Sequence, residues 1–407
     1  MVRKKTITIY LIIFITIGLL LLVAGQMRHS NSLPMNRPQV ADKDLSNVVD
    51  KNAIDLLNDY YRVTDLHARG FKGAGTSVAI ITFDTFQPSD IQLFSERYHL
   101  PKANINVIPL FGGAVHKGPS IKGVTESTLD INMVHAAAPD ADITVYSAPD
   151  GLPLSIILKK ILDEGKDQII TTSWGKMPNP AEDARCYQII EEMSKRGMTV
   201  LAATGDYGRT LELANPLSPA LLPNVVAVGG TIVTADLGFN RVIETIWPDS
   251  VRGWSTAYPL PKYQSAAAAS PTLTAESKKY RMLPDIVGPS VVQTSDAISA
   301  EHGGLHFYVT NPTTGKGEWG PVIGTSVAAP YYAGLFANIA GGLHKGLGDI
   351  HSQLYKLIES PAYNKVDTTD QEHAVKGGQS FTIMSGLGSL NAYEIAIAFK
   401  LIAKEKQ

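Results

Sequence analysis

The sequence predicts an α/β protein built on a mostly parallel sheet with helices on both faces, and three observations carry that expectation. Short β-branched runs recur at residues 76–83, 143–146, 168–174, 198–203 and 225–228, continuous rather than alternating, as in strands buried on both sides. Between them, residues 154–164 and 181–196 place apolar side chains at threes and fours, the spacing of an amphipathic helix. Strand then helix in regular alternation leaves a parallel sheet with crossover helices as the economical arrangement, and 407 residues suffice for one large domain of this kind.

Arg3, Lys4 and Lys5 precede an uncharged, mostly apolar run over residues 6–25. As a helix rising about 1.5 Å per residue this run is long enough to cross a bilayer. Positive charge ahead of it predicts a cytoplasmic start and an extracytoplasmic remainder. Residues 1–25 are therefore expected to be a transmembrane anchor, with a signal segment cleaved after Val23-Ala24-Gly25, and hence secretion, as the alternative. Residues 26–46, with Pro34 and Pro38, read as a tether, and the folded part is expected over 47–407. The Ala/Ser-rich residues 265–277 read as a surface loop.

Charge and cysteine content exclude several functions. With 36 Lys+Arg against 38 Asp+Glu there is no basic field to neutralise phosphates, so nucleic acid is not an expected partner. Cys186 is the single cysteine, which removes internal disulfides and cysteine-based zinc sites.

Four residues carry the chemistry. Gly324-Thr325-Ser326-Val327-Ala328-Ala329-Pro330 sets Ser326 where a turn becomes a helix, which exposes a hydroxyl beside free backbone N–H groups. A serine hydroxyl needs a base, and carboxylates are the candidates. Glu126 and Asp130 stand four apart in a helix ending near Pro139, so they share one face. On an exposed helix such a pair is a mildly unfavourable solvated couple; buried and sharing a proton, it becomes a base suited to acid. Asp206, in Thr204-Gly205-Asp206, follows an apolar strand at the carboxyl edge of the sheet, where α/β proteins bind ligands. Alone it is a turn aspartate; protonated, it is a donor to an oxyanion.

The order Glu126, Asp130, Asp206, Ser326 resembles the sedolisins, or serine-carboxyl peptidases, of subtilisin-like fold. The likeness runs from about Leu45 to Ala398 and includes Ser173-Trp174-Gly175, Ala227-Val228-Gly229-Gly230-Thr231, the segment from Trp254 to Gln264, Arg281-Met282-Leu283-Pro284-Asp285 and Ser385-Gly386-Leu387-Gly388-Ser389. The resemblance implies an endopeptidase acting on peptides or unfolded proteins, with Ser326 as nucleophile, Glu126 as base, Asp130 as its proton-sharing partner and Asp206 as oxyanion donor. An acidic optimum follows, because a carboxylate stays a base where imidazole is already protonated. A Ser/His/Asp enzyme is the nearest rival, and Phe83-Asp84-Thr85 mimics its strand-end aspartate, yet none of the ten histidines stands in a His-Gly-Thr setting. His302 and His306 read as surface or hairpin residues, His135 as packed, and Trp174 as either cleft or core.

Two departures from the family pattern appear. Sedolisins usually carry a large propeptide, and the stretch between residue 25 and the start of the likeness is too short for one. The family also holds calcium with two aspartates and carbonyl oxygens, whereas alignment puts Lys365 and Thr382 at the acidic positions. No cofactor is therefore expected, with Lys365 supplying charge in the ion's place and Asp367 and Asp370 as fallback ligands if the alignment slips. These departures motivate an alternative, a catalytically silent membrane-anchored binding or regulatory protein on the same scaffold.

Overall fold

A computed structural model describes residues 52–208, 216–236, 241–294, 305–367 and 381–403. The expected membrane segment at 6–25 and the tether at 26–46 lie outside these residues, as do His302 and Asp370. Among the described residues no helix is long and apolar enough to cross a membrane.

The chain opens with two short helices, α1 (Ala53–Tyr60) and α2 (Val63–His67), and then alternates: β1 (Ser77–Thr82), α3 (Pro88–Arg97), β2 (Asn104–Pro109), α4 (Lys122–Ala137), β3 (Asp142–Ser147), α5 (Leu154–Glu164), β4 (Ile169–Thr172), α6 (Pro180–Lys195) and β5 (Thr199–Ala203). A longer β region follows, with β6 (Val226–Asp236), β7 (Arg241–Ile246), β8 (Gly253–Pro259), β9 (Tyr280–Leu283), β10 (Ile286–Thr294), β11 (His306–Thr310) and β12 (Gly317–Pro321). Then come α7 (Thr325–Leu343), α8 (His351–Tyr355), β13 (Tyr363–Asn364), β14 (Ser389–Leu390) and α9 (Ala392–Ala398).

Seven strands form the parallel sheet in the order β10-β6-β5-β4-β1-β3-β2, and β7 adds antiparallel to β6. All five predicted strands are members. β1 pairs with β3 from Ser77 opposite Asp142 to Thr82 opposite Ser147. Its side chains alternate between two cores: Val78 and Ile80 face the core shared with α4 and α7, while Ala79 and Ile81 face the one shared with α5 and α6. Burial on both faces explains why these runs are continuously apolar. The segment at 265–277 lies at the surface as expected, largely exposed, with Ala267, Ser270 and Ser277 turned inward at short 3-10 turns. Its small residues sit close to the body because Gln264 is tied to the Met282 backbone at 2.8 and 2.9 Å.

α7 is buried from Thr325 to Gly341, as a helix apolar all round must be. It runs alongside α4 so closely that a Cβ at Gly334 would lie 2.7 Å from both the Ala137 Cβ and the Val134 carbonyl oxygen. Asn338 donates to the Ala137 carbonyl at 2.8 Å farther along. The contacts advance together along both helices, so the two are parallel and their N-terminal turns, carrying Glu126 and Ser326, come out at the same end.

The Arg281–Asp285 motif has a structural role. Both side chains are fully buried, and Asp285 accepts from Arg281 and Tyr355 at 2.8 and 2.7 Å and from the Ala227 backbone of β6 at 2.8 Å. Burial by itself would raise the Asp285 carboxyl, but Arg281 and His351 more than offset it and hold it well below the usual range. Burial lowers His351, yet Asp285 wins and pushes it up to about 9. Asp285→Asn leaves a buried guanidinium without its counter-charge, and a loss of about 3–5 kcal/mol in urea unfolding is expected. A loss below about 1 kcal/mol would show the network to be dispensable.

Candidate active site

Two strand ends and two helix starts build one cleft of about 250 Å³ lined by Glu126, Ser173, Trp174, Asp206, Thr325 and Ser326, with Lys122 at its edge. Glu126 comes from the second turn of α4, Ser173 and Trp174 follow β4, Asp206 follows β5, and Ser326 lies in the first turn of α7. Ser326 is 7% exposed. Asp130 sits one turn behind Glu126, fully buried, and accepts a hydrogen bond from Ser173 Oγ at 2.6 Å. All four residues singled out in the sequence thus meet at the carboxyl edge of the sheet.

The environment raises all three carboxyls. Burial comes first in pushing Glu126 up to about 7; hydrogen bonds from the Ser326 and Ser173 hydroxyls oppose it, and the charge of Asp206 adds to it. Asp130 is raised well above the usual range, by burial first and then by the charge of Glu126. Glu126 Oε1 and Asp130 Oδ2 are both shielded from solvent without another hydrogen-bond partner. Two carboxyls buried this close share a proton rather than ionise together, and Glu126 is the member of the pair that lines the cleft beside Ser326.

Asp206 is raised by burial, against two opposing hydrogen bonds from Thr325, with nearby Asp249 adding to the rise. The Thr325 backbone N–H and Oγ1 donate to Asp206 Oδ1 at 2.9 and 2.8 Å, and the Gly205 N–H donates to Thr325 Oγ1 at 3.0 Å. Oδ1 is therefore committed as an acceptor, which leaves Oδ2 to carry a proton. A Cβ at Gly324 would lie 2.7 Å from that oxygen, so only glycine lets the turn before Ser326 pass this close to Asp206.

The sequence reading missed Thr325 and the Ser173 hydroxyl. Both stand in quoted motifs, but nothing in a linear pattern says which carboxylate each will meet. Trp174 lines the cleft and stacks edge-on against Phe83, with ring centroids 5.6 Å apart. His135 is packed, with Nε2 at 2.8 Å from the Pro101 carbonyl, and His306 opens the β11–β12 hairpin. Asp84 caps the Thr85 N–H at 2.7 Å as a strand-end residue. It also has an unforeseen partner: His116 Nδ1 lies 3.2 Å from both its oxygens. Neither of these two residues lines the cleft beside Ser326.

Of the positions weighed for calcium, Thr382, Lys365 and Asp367 lie among the described residues. Thr382 Oγ1 accepts from the Met384 and Ser385 N–H groups at 3.2 and 3.0 Å, closing a local turn. Lys365 follows β13, and the Asp367 backbone bridges to β7. Among the described residues no cluster of His, Cys, Asp or Glu has metal-holding geometry.

This arrangement, a serine opening a buried helix beside carboxylates on a parallel sheet, defines a subtilisin-like fold. The chain belongs to the subtilase family, whose model matches residues 115–375. Its relatives place it with the sedolisins. It is 32% identical to kumamolisin from Bacillus sp. (strain MN-32) over 285 residues, covering 65% of this chain and 49% of that one. It is 22% identical to tripeptidyl-peptidase sed5 from Aspergillus fumigatus over 366 residues, covering 79% and 60%. The chain thus spans about half to three fifths of the length of these curated relatives. A solved Pseudomonas sedolisin, a serine-carboxyl proteinase complexed with two molecules of pseudo-iodotyrostatin, superposes with a TM-score of 0.68 at 20% identity, covering 86% of this chain and 98% of that one.

Proposed function

We propose that this protein is a serine-type endopeptidase of the serine-carboxyl class. The observation that carries the reading is the convergence of Ser326, Glu126 and Asp206 in one cleft, with Asp130 buried behind. Ser326 Oγ attacks the peptide carbonyl while Glu126 takes its proton, and Asp206, protonated at Oδ2, donates to the oxyanion. Glu126 then protonates the leaving amine, and the acyl-enzyme is hydrolysed by water in the mirror sequence.

The pH dependence follows from two opposing titrations. Rising pH removes the Asp206 proton and with it the oxyanion donor; falling pH adds a second proton to the Glu126/Asp130 pair and quenches the base. Because the charge of Asp206 is one cause of the raised Glu126, protonating Asp206 eases ionisation of the base, so both requirements are met together on the acid side. Hydrolysis of a denatured protein should peak below neutrality, and a peak above pH 7 overturns the mechanism. An N-terminally blocked peptide distinguishes an endopeptidase, which cleaves it, from the tripeptidyl-peptidase action named for one relative.

Two further parts of the proposal have direct tests. Calcium is not required, as the Thr382 turn and Lys365 suggest; EDTA should leave both melting temperature and activity unchanged, and a fall in either restores Asp367 or Asp370 as ligands. Residues 6–25 anchor the protein in a lipid bilayer with the catalytic part extracytoplasmic. The protein should then sediment with membranes and keep its N-terminus on sequencing, whereas a start just after residue 25 in a soluble fraction would make it secreted.

A further inference from the structure

Trp174 lines two cavities. Beside the catalytic cleft, a pocket of about 430 Å³ lies between β1, α5, β4 and α6, bordered by Phe83, Leu154, Lys176, Met177, Glu182 and Asp183. Trp174 is the wall the two cavities share, so a peptide that crosses it would reach from one into the other. The ionic groups of the two cavities differ in how far they are already committed. Glu182 accepts from the Ser155 N–H and Oγ at 2.8 and 3.1 Å and pairs with Arg185 at 3.3 Å. Asp183 accepts from the Asn179 N–H at 3.0 Å and Ser218 Oγ at 2.6 Å.

Lys122, the first residue of α4 and one turn before Glu126, is exposed at the cleft edge, and Lys176 is exposed with Nζ 4.6 Å from the centre of the Phe83 ring. Neither forms an ion pair with a described residue. Glu182 is paired with Arg185 and Asp183 is held by hydrogen bonds, so Lys122 and Lys176 are the cations lining the two cavities that have no ion-pair partner among the described residues. Cations bordering a low-dielectric cleft act on a charged ligand more strongly than the same cations on open surface.

We propose that the cleft selects peptides carrying an aspartate or glutamate close to the scissile bond, with Lys122 and Lys176 as the specificity-determining residues; this rests on the peptidase reading above. Each lysine stays partly solvated, so each contributes a preference of roughly two- to fivefold, the size of an exposed ion pair.

The experiment measures kcat/KM for matched peptides that differ only by Glu against Gln, or Asp against Asn, at each position flanking the cleaved bond. It is run at about pH 5, where such side chains remain ionised, on the full chain and on Lys122→Gln, Lys176→Gln and the corresponding Glu variants. The ratio within each matched pair is the readout, so a general loss of activity in a variant cancels. The acidic peptide should be preferred at one or more positions, the preference should shrink in the Gln variants and reverse in the Glu variants, and salt should weaken it. Ratios of one at every position, with the neutral peptides still cleaved, overturn this inference and leave the peptidase reading standing. A preference that neither lysine variant alters overturns the assignment to these residues. Cleavage of no peptide at any pH removes the peptidase reading and this inference with it.

Discussion

Ser326→Ala should abolish the proposed hydrolysis of an unfolded protein at acidic pH, with turnover expected to fall by a factor on the order of 10⁴ to 10⁶, the range seen when a serine nucleophile is removed. The size of the effect follows from the absence of a substitute. Thr325, the neighbouring hydroxyl, is already donating to Asp206 and accepting from Gly205, so it cannot take over. The fold should survive, because Ser326 occupies the first turn of a helix buried along most of its length and alanine is the better helix former. Melting temperature at pH 5 is the control and should move by only a few degrees. Equal turnover in the two forms discards the mechanism, whereas no turnover in either favours the silent scaffold.

Glu126→Gln removes the base and should lower kcat by about 10³ to 10⁴, but its second effect is more diagnostic. The Glu126 carboxyl is raised to about 7 from an ordinary 4.5, so the folded chain binds this proton more tightly than the unfolded chain. Stability from that proton is fully present below about pH 4.5 and lost as pH rises through about 7. The wild type therefore holds an ionised, poorly solvated carboxylate at pH 8, at a cost of up to about 3 kcal/mol. Glutamine cannot ionise, so the variant should melt higher than wild type at pH 8 and at nearly the same temperature at pH 4. An inactive variant that is more stable only in alkali is hard to obtain from a residue with a purely structural role. A lower melting temperature at pH 8 would show that Glu126 is solvated rather than buried.

Asp285 offers the opposite sign within the same chain. Its carboxyl is held below the usual range by Arg281 and His351, so its contribution is present above about pH 4 and lost as pH falls. Acid therefore favours protonation of the catalytic carboxyls while it erodes the structural one. Low exposure alone does not separate the two kinds of site. A compensating cation does.

Strands were legible because a strand buried on both faces is built from apolar and β-branched residues, as β1, β4 and β5 are, with their polar members confined to serine and threonine. The helix bearing Glu126 and Asp130 was legible for a different reason, its fixed periodicity, which puts residues four apart on one face. Residues 265–277 lie at the surface as expected, but which of their small side chains turn inward, Ala267, Ser270 and Ser277 among them, follows no period that could be read in advance. The Asp84–His116 contact could not be foreseen either: the two stand 32 positions apart with α3 and β2 between them, and no periodic pattern spans such a distance.

The sequence by itself determined the kinds of groups available: a serine at a helix start, two carboxyls one helical turn apart, an aspartate at a strand end, and no histidine in a motif suited to replace them. Local chemistry fixes these, since turn glycines, helical spacing and apolar runs act over a few residues. Only the tertiary structure decided that Ser326, Glu126 and Asp206 open into one cleft, that Thr325 commits one oxygen of Asp206, and that Asp285 is charged where Asp130 is raised. Those outcomes depend on burial and on partners distant in the chain, and a carboxyl's proton affinity is set by that surrounding rather than by its place in the sequence.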